Sequence, residues 1–407
     1  MSVLLDAILL RAGYNTAVVC AGAAMLGAAA GIIGSFILLR HRSLATDAAG
    51  HATLPGLALA FIFMALTSGD GRSLPALMTG GAISAGLGLM CIHALSSRTR
   101  LHEDTAIGTV LSVFFGAGAV LLTIVQNLQT GRQAGLSNYL LGSAAGMLRH
   151  EAELIAALAL STAVVVCILH RALTTLSFDK TFAHMQGLPV GLLEFILTAL
   201  LLTLVVTSLK IVGLVLSVAL GITPAVSARF WTNRLHVMVP IAAIIGAAGG
   251  YTGAAISAIT PQLPTGAVIV LVLFMLFLLS LLLAPARGLL ATALRHQAYR
   301  RRVHKRQGLL ALFHGEPVYD GLTLRLMRRA GWIRRDAVPT PAGYEAAHAA
   351  WQEEALWNLY LSHYPGDAAA LEHHRVMPIS KVLSPDALAE LERTLQDSSP
   401  KSLGAAT

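Results

Sequence analysis

SLATDAAGHATLPGLALAF, Ser43 to Phe61, carries an aspartate and a histidine into one of the most apolar regions of the chain. Asp47 and His51 stand four residues apart, so on a helix they share one face. A carboxylate and an imidazole at that spacing offer oxygen and nitrogen donors to a divalent transition metal. Pro55 and Gly56 follow at once and predict a helix broken or distorted inside the bilayer. Such a break is tolerated only against protein or a polar cavity. Spacing alone leaves a second reading open, in which Asp47 caps an ordinary span from the cytoplasm.

The rest of the chain sets the class. Of 407 residues, 55% are hydrophobic and only 12% charged, with a mean hydropathy of +0.68. That composition belongs to a polytopic membrane protein. The first apolar stretch, Thr16 to Leu39, lacks a basic leader and reads as a first span, not a cleaved signal peptide. Cys20, Cys91 and Cys167 all fall in apolar stretches and read as small buried hydrophobes, not as a disulfide framework or metal cluster. Charge changes character near Pro285: sixteen Lys and Arg against twelve Asp and Glu lie from there onward, in the shorter part of the chain. This break separates a membrane domain, residues 1–285, from a more polar carboxyl-terminal region.

Nine apolar windows are expected to span, at about 16–39, 50–67, 75–95, 106–126, 152–170, 190–209, 211–228, 237–258 and 266–284. The connections sort by charge. Arg40, Arg42, Arg98, Arg100, Arg171, Lys180, Arg229, Arg234 and Arg287 fall on one side of nine crossings; Arg11, Arg72, Arg132, Arg149 and Lys210 fall on the other. The positive-inside bias then places the amino terminus outside and the carboxyl-terminal region in the cytoplasm. GAAMLGAAAGIIG, Gly22 to Gly34, and GGAISAGLG, Gly80 to Gly88, offer small faces for close helix contact.

Four connections carry more detail. Gly135 to Leu148 reads as a short amphipathic or re-entrant outer helix. In SFDKTFAHMQGLPV, Ser177 is expected to cap a short cytoplasmic helix with Phe178, Phe182 and Met185 on its apolar face, which must pack on its own bundle or on a cytoplasmic partner; these three, with Arg229 and Trp231, are the candidates for docking an ATPase. Pro224 kinks the end of a span, and Arg229 and Trp231 then sit on a short basic-aromatic segment that either docks on a partner or anchors at the headgroups. Residues 286–307 form a basic juxtamembrane linker, placed to meet anionic lipid. Residues 308–395 are expected to fold as a small winged-helix and helical domain, with a turn at Gly331, a hairpin around Ala337 to Pro341, and a last helix capped by Ser384. Residues 396–407 read as a disordered tail.

Six segments in order resemble the permease family of metal-ion ABC transporters that import manganese, zinc or iron. They are DAAGHATLPG at Asp47–Gly56, EDTAIGTVLSVFFGAG at Glu103–Gly118, GLSNYLLG at Gly135–Gly142, FDKTFAHMQGLPV at Phe178–Val190, ITPAVSARF at Ile222–Phe230 and LPTGAVIVL at Leu263–Leu271. The family's usual opening pattern has serine where this chain has Gly50. The resemblance implies an all-α polytopic fold and a translocation path, with no nucleotide site in the chain itself. It further implies a second permease subunit, identical or different, two cytoplasmic ATPases that use ATP, and an extracytoplasmic metal-binding protein. It places the protein in a bacterial inner membrane. Family metal-site roles carry onto Asp47 and His51, with Pro55 and Gly56 shaping the path; His93 is a further candidate. Two donors from each of two subunits would make a four-donor site for a transported ion, with no permanently bound cofactor.

The region from Gly308 to Leu395 is similar to the winged-helix domain of iron- and manganese-dependent repressors. ALEHH, Ala370 to His374, resembles their metal-binding stretch, with Glu372, His373 and His374 as candidate ligands. RVMPISKVLSP departs from their donor spacing, so a solvent-exposed histidine pair stays open as the alternative. A winged helix also admits nucleic acid as a partner. A membrane-tethered metal-responsive regulator is therefore the competing function.

Overall fold

The computed structural model describes residues 14–40, 42–67, 74–127, 147, 149–259, 263–363 and 378–398. It divides into two compact units, Met1–Ala291 and Thr292–Thr407. Among the described residues regular structure is helical, apart from one isolated antiparallel bridge between Ile333 and Pro339.

The first unit contains α1 (Tyr14–Leu39), α2 (Ser43–Thr67), α3 (Leu74–Arg98), α4 (Glu103–Asn127) and α5 (Arg149–Phe178). The short α6 (Lys180–Met185) precedes α7 (Val190–Ile211), α8 (Leu214–Trp231), α9 (Leu235–Ile259) and α10 (Thr265–Leu283). Eight of these are long and apolar enough to cross a membrane, where nine are expected from the sequence. The window that does not qualify forms α8, an 18-residue helix. It is separated from α7 at Gly213, whose φ of 87° suits glycine alone among common residues.

Two helices are gripped from several sides. α1 packs on α9, α5 and α8, and α2 packs on α3, α4 and α8. Backbones approach through small residues: a Cβ on Gly27 would lie 2.1 Å from the Gly246 carbonyl oxygen of α9. Without water in the bilayer to drive association, such close contact is what holds helices together. Gly27→Val should therefore separate α1 from α9 at about 1–3 kcal/mol or more. A lowered thermal midpoint of the detergent-solubilised protein would register it.

α2 is helical without interruption from Ser43 to Thr67, with Pro55 inside it, so the expected break is absent. Flanking helices supply the reason. A Cβ on Gly56 would meet the Gly80 carbonyl oxygen at 2.1 Å, and one on Gly118 would meet Leu54 at 2.5 Å. Held by α3 and α4 across the proline, the segment keeps its helical course although Pro55 cannot donate to the carbonyl of His51.

The expected cap of the short helix also differs. Ser177 lies inside α5, its hydroxyl donating to the Leu173 carbonyl at 2.7 Å. Asp179 caps α6 instead, accepting from the Phe182 amide at 2.9 Å. Nor is there a separate basic-aromatic helix: Arg229 and Trp231 end α8 itself.

The second unit carries most of α11 (Leu289–His314), then α12 (Gly321–Arg329), α13 (Pro341–His363), a 3-10 turn at Ile379–Lys381 and α14 (Pro385–Ser398). The expected basic linker is helical from Leu289, and α11 runs on beyond it to His314. The hairpin is minimal: Arg334 N–H donates to the Val338 carbonyl, Thr340 N–H to that of Trp332, and Ala337 adopts φ 65°. Pro385 opens α14 as expected, but the helix continues to Ser398, past the expected start of disorder. Trp357 is fully buried beside Ile379, in a cluster that includes Leu388 and Leu391. Trp357→Ala should cost about 3–5 kcal/mol, seen as faster proteolysis of this unit in the full chain.

Asp320 caps α12. The Thr323 hydroxyl and amide hold its carboxyl below the usual carboxylate range. A depressed folded-state value means this cap's contribution is present above the unfolded carboxylate range and fades as pH falls through the lowered one.

Candidate functional site

One turn separates Asp47 from His51 on α2, and the structure brings them together. His51 Nε2 lies 3.3 Å from Asp47 Oδ1, with the two side chains 20% and 34% exposed. Two donors each about 2.1 Å from a shared ion stand about 3.0–3.4 Å apart over the usual octahedral to tetrahedral angles. The observed separation therefore suits a pair of ligands on one ion without rearrangement. The other imidazole nitrogen, Nδ1, is buried and meets no hydrogen-bond partner among the described residues.

Neighbouring helices fix this turn. Phe115 of α4 packs edge-on against the His51 ring, centroids 5.0 Å apart. Ser217 and Val218 of α8 face Gly50, where a Cβ would find ordinary contact at 3.7 and 3.8 Å. The Thr53 hydroxyl donates to the Gly50 carbonyl at 2.6 Å. Pro55 and Gly56 lie one turn further along: Gly56 seals α2 to α3, and Pro55 leaves the His51 carbonyl without its usual helical donor.

Other expected site residues scatter. His93 is exposed on α3 and is not brought to the Asp47–His51 pair. Among the described residues no three His, Cys, Asp or Glu side chains assemble, so Asp47 and His51 stand as a pair of potential donors. Glu372, His373 and His374 lie outside the described residues, as does GLSNYLLG; of the expected re-entrant helix only Met147 is described.

The two expected docking segments differ sharply. Phe182 and Met185 on α6 are 50% and 80% exposed, and Phe178, the last residue of α5, is exposed beside them. The opposite face of α6 is anchored by fully buried Ala183, in a cluster with Phe36, Leu173 and Leu193. Trp231, by contrast, is tied down: its indole N–H donates to Ser280 Oγ of α10 at 3.0 Å. Arg229 is half-buried beside it.

One charged group escapes a reading of the sequence alone. Glu194, five residues into the apolar α7, is buried and pairs with Arg40 and Lys180. An isolated glutamate inside an apolar window is the signal that points to it.

Residues 14–284 match the ABC 3 transport family, and the chain belongs to it. It is 42% identical over 299 residues to the manganese transport system membrane protein MntC of Bacillus subtilis, covering 74% of this chain and 68% of that protein. It is 39% identical over 289 residues to the zinc transport system membrane protein TroC of Treponema pallidum, covering 71% and 94% respectively. Among solved structures, PsaBC from Streptococcus pneumoniae in complex with Fab superposes with a TM-score of 0.60 at 28% identity, covering 72% of this chain and 98% of that one. The family match takes in α1 to α10, and nothing supports the competing regulator.

Proposed function

We propose that the chain is the membrane-spanning permease subunit of an ABC importer for divalent transition metals, with Asp47 and His51 as ion ligands on its translocation path. The observation that carries this is the 3.3 Å pairing of a carboxylate and an imidazole on an apolar helix gripped by its neighbours. Manganese and zinc are the cargoes named for the relatives, and ferrous iron suits the same donors. ATP hydrolysis belongs to separate ATPase subunits, and an extracytoplasmic binding protein delivers the ion.

Two donors are too few for a firmly held ion, which favours a second permease subunit bringing its own pair. α4 supports that arrangement. Gly108, Ser112 and Gly116 lie one turn apart on its exposed side, near Phe115, and a Cβ at either glycine would meet nothing within 4 Å. Small residues facing outward on an apolar helix suit close contact with another helix. We place the amino terminus outside, Thr16–Leu39 as the first of nine spans including α8, and the second unit in the cytoplasm, where its α11–α13 segment serves as a winged-helix-like regulatory domain.

Uptake of manganese, zinc and ferrous ions into vesicles holding the assembled transporter tests the proposal. ATP-dependent accumulation of at least one ion, competed by the others, is expected. Vesicles that hydrolyse ATP yet accumulate none of the three would overturn it.

A further inference from the structure

The end of α1 carries two arginines with different attachments. Arg40 lies just beyond α1, and its guanidinium donates to Glu194 Oε1 of α7 at 2.5 Å. Lys180, the first residue of α6, reaches the same oxygen at 3.0 Å. Two residues beyond Arg40, Arg42 pairs through Nε with Glu103 at the start of α4, also at 2.5 Å. α2, with Asp47, begins at Ser43.

We propose that the Arg40–Glu194–Lys180 cluster mechanically links the docking helix α6 to the helices that hold the metal pair. The inference rests on the permease reading and on α6 as the ATPase contact. Burial makes the link stiff. The Glu194 side chain is 11% exposed and that of Arg40 9%, and a buried carboxylate deprived of its cations is strongly destabilised. Glu194 must therefore follow its cations when either moves. Lys180, 61% exposed, is the outward arm of the cluster on the helix a partner would push. Arg40 is its inward arm, covalently continuous with α2.

Packing runs parallel to charge. Ala183 of α6, Phe36 of α1 and Leu193 of α7 share one buried cluster, so the three elements already contact each other beneath the ion pairs. Arg42 extends the link sideways. By holding Glu103, it ties the same loop to α4, whose Phe115 lies on the His51 ring. Both helices that shape the metal pair thus start at residues bound to this loop. Arg40, Glu194 and Lys180 are positioning residues; none touches the ion.

A merely structural buried ion pair can be exchanged for apolar side chains of similar volume with little loss. A link between moving parts cannot. The test is Arg40→Met with Glu194→Leu, in membrane vesicles holding the assembled transporter. Two quantities are read: manganese or zinc moved per ATP hydrolysed, and the ATP-driven change in distance from a spin label at Leu44 on α2 to one at exposed Leu271 on α10, a helix outside the link. The double variant should assemble, lose the coordinated distance change, and move about tenfold less metal per ATP, a loss typical of coupling between sites. Arg40→Lys, which keeps the cation, should retain most of the coupling.

Wild-type label movement and wild-type metal per ATP in the double variant would assign the cluster to packing and overturn the proposal. Should that variant not assemble, Lys180→Met decides, since it alters only the exposed arm; unchanged coupling there overturns the proposal equally. If the unsubstituted transporter accumulates no metal while the label distance still changes with ATP, and that change is lost in the double variant, the link stands and the metal reading fails.

Discussion

Asp47→Asn should abolish uptake of manganese and zinc while leaving the subunit inserted and assembled. The change keeps the size of the side chain and its ability to accept a hydrogen bond, so a residue acting only as a helix cap would tolerate it. It removes the charge, and with it the anionic oxygen that stands 3.3 Å from His51 Nε2. Loss of outer-shell partners alone typically costs 10–100-fold in metal affinity, so loss of a direct ligand should reduce uptake by at least about a hundredfold. His51→Ala should do the same by deleting the nitrogen donor. The pair must fail together. Wild-type uptake by Asp47→Asn vesicles would remove Asp47 from the path, whatever His51→Ala then did. Phe115→Ala makes a graded companion: it frees the His51 ring from its edge contact without touching either donor, so uptake should fall by less than in either donor variant.

The site's core is legible in the sequence because it is local. An i, i+4 pair on a helix meets whatever the rest of the fold does, so the meeting of Asp47 and His51 can be read from their spacing, while their role as ligands comes from the resemblance. Pro55 misleads for the complementary reason. Its intrinsic tendency to break a helix is real, but the outcome depends on Gly80 of α3 and Gly118 of α4, far away in sequence, clamping α2 on either side of it. Ser177 misleads by a two-residue shift: α5 runs on through it, and Asp179 takes the cap. Glu194 shows what spacing cannot supply at all. Arg40 lies 154 positions away from it, and no periodicity announces a partner at that distance. The second unit is legible in its local elements, the turn at Gly331, the small hairpin and the helix that Pro385 opens, because each is set by neighbouring residues.

Phe182→Asp should uncouple ATP hydrolysis from transport, and Trp231→Asp should not. In the sequence, both residues sit on apolar segments suited to an ATPase surface. Their surroundings in the fold separate them. Phe182 stands half-exposed on a six-residue helix whose buried face is Ala183, so its ring contributes little to the fold beneath it. Exposed apolar side chains on a short, capped helix at the proposed cytoplasmic face need a partner to cover them. Trp231 already commits its indole N–H to Ser280 and stands beside Phe230, whose ring meets Phe277 of α10. An aspartate there should disturb the α8–α10 contact and lower thermal stability, whereas an aspartate at 182 should leave stability near wild type. The measurement is binding-protein-stimulated ATP hydrolysis by the assembled transporter, alongside the thermal midpoint of the solubilised subunit. Phe182→Asp should reduce stimulation at least about tenfold, as truncation of a central interface side chain commonly does at about 2 kcal/mol or more. Met185→Asp, on the most exposed apolar residue of the same helix, should behave alike. Full stimulation in both α6 variants, with loss only in Trp231→Asp at unchanged stability, would move the docking surface to the end of α8 and remove the outer arm of the Arg40–Glu194–Lys180 link with it.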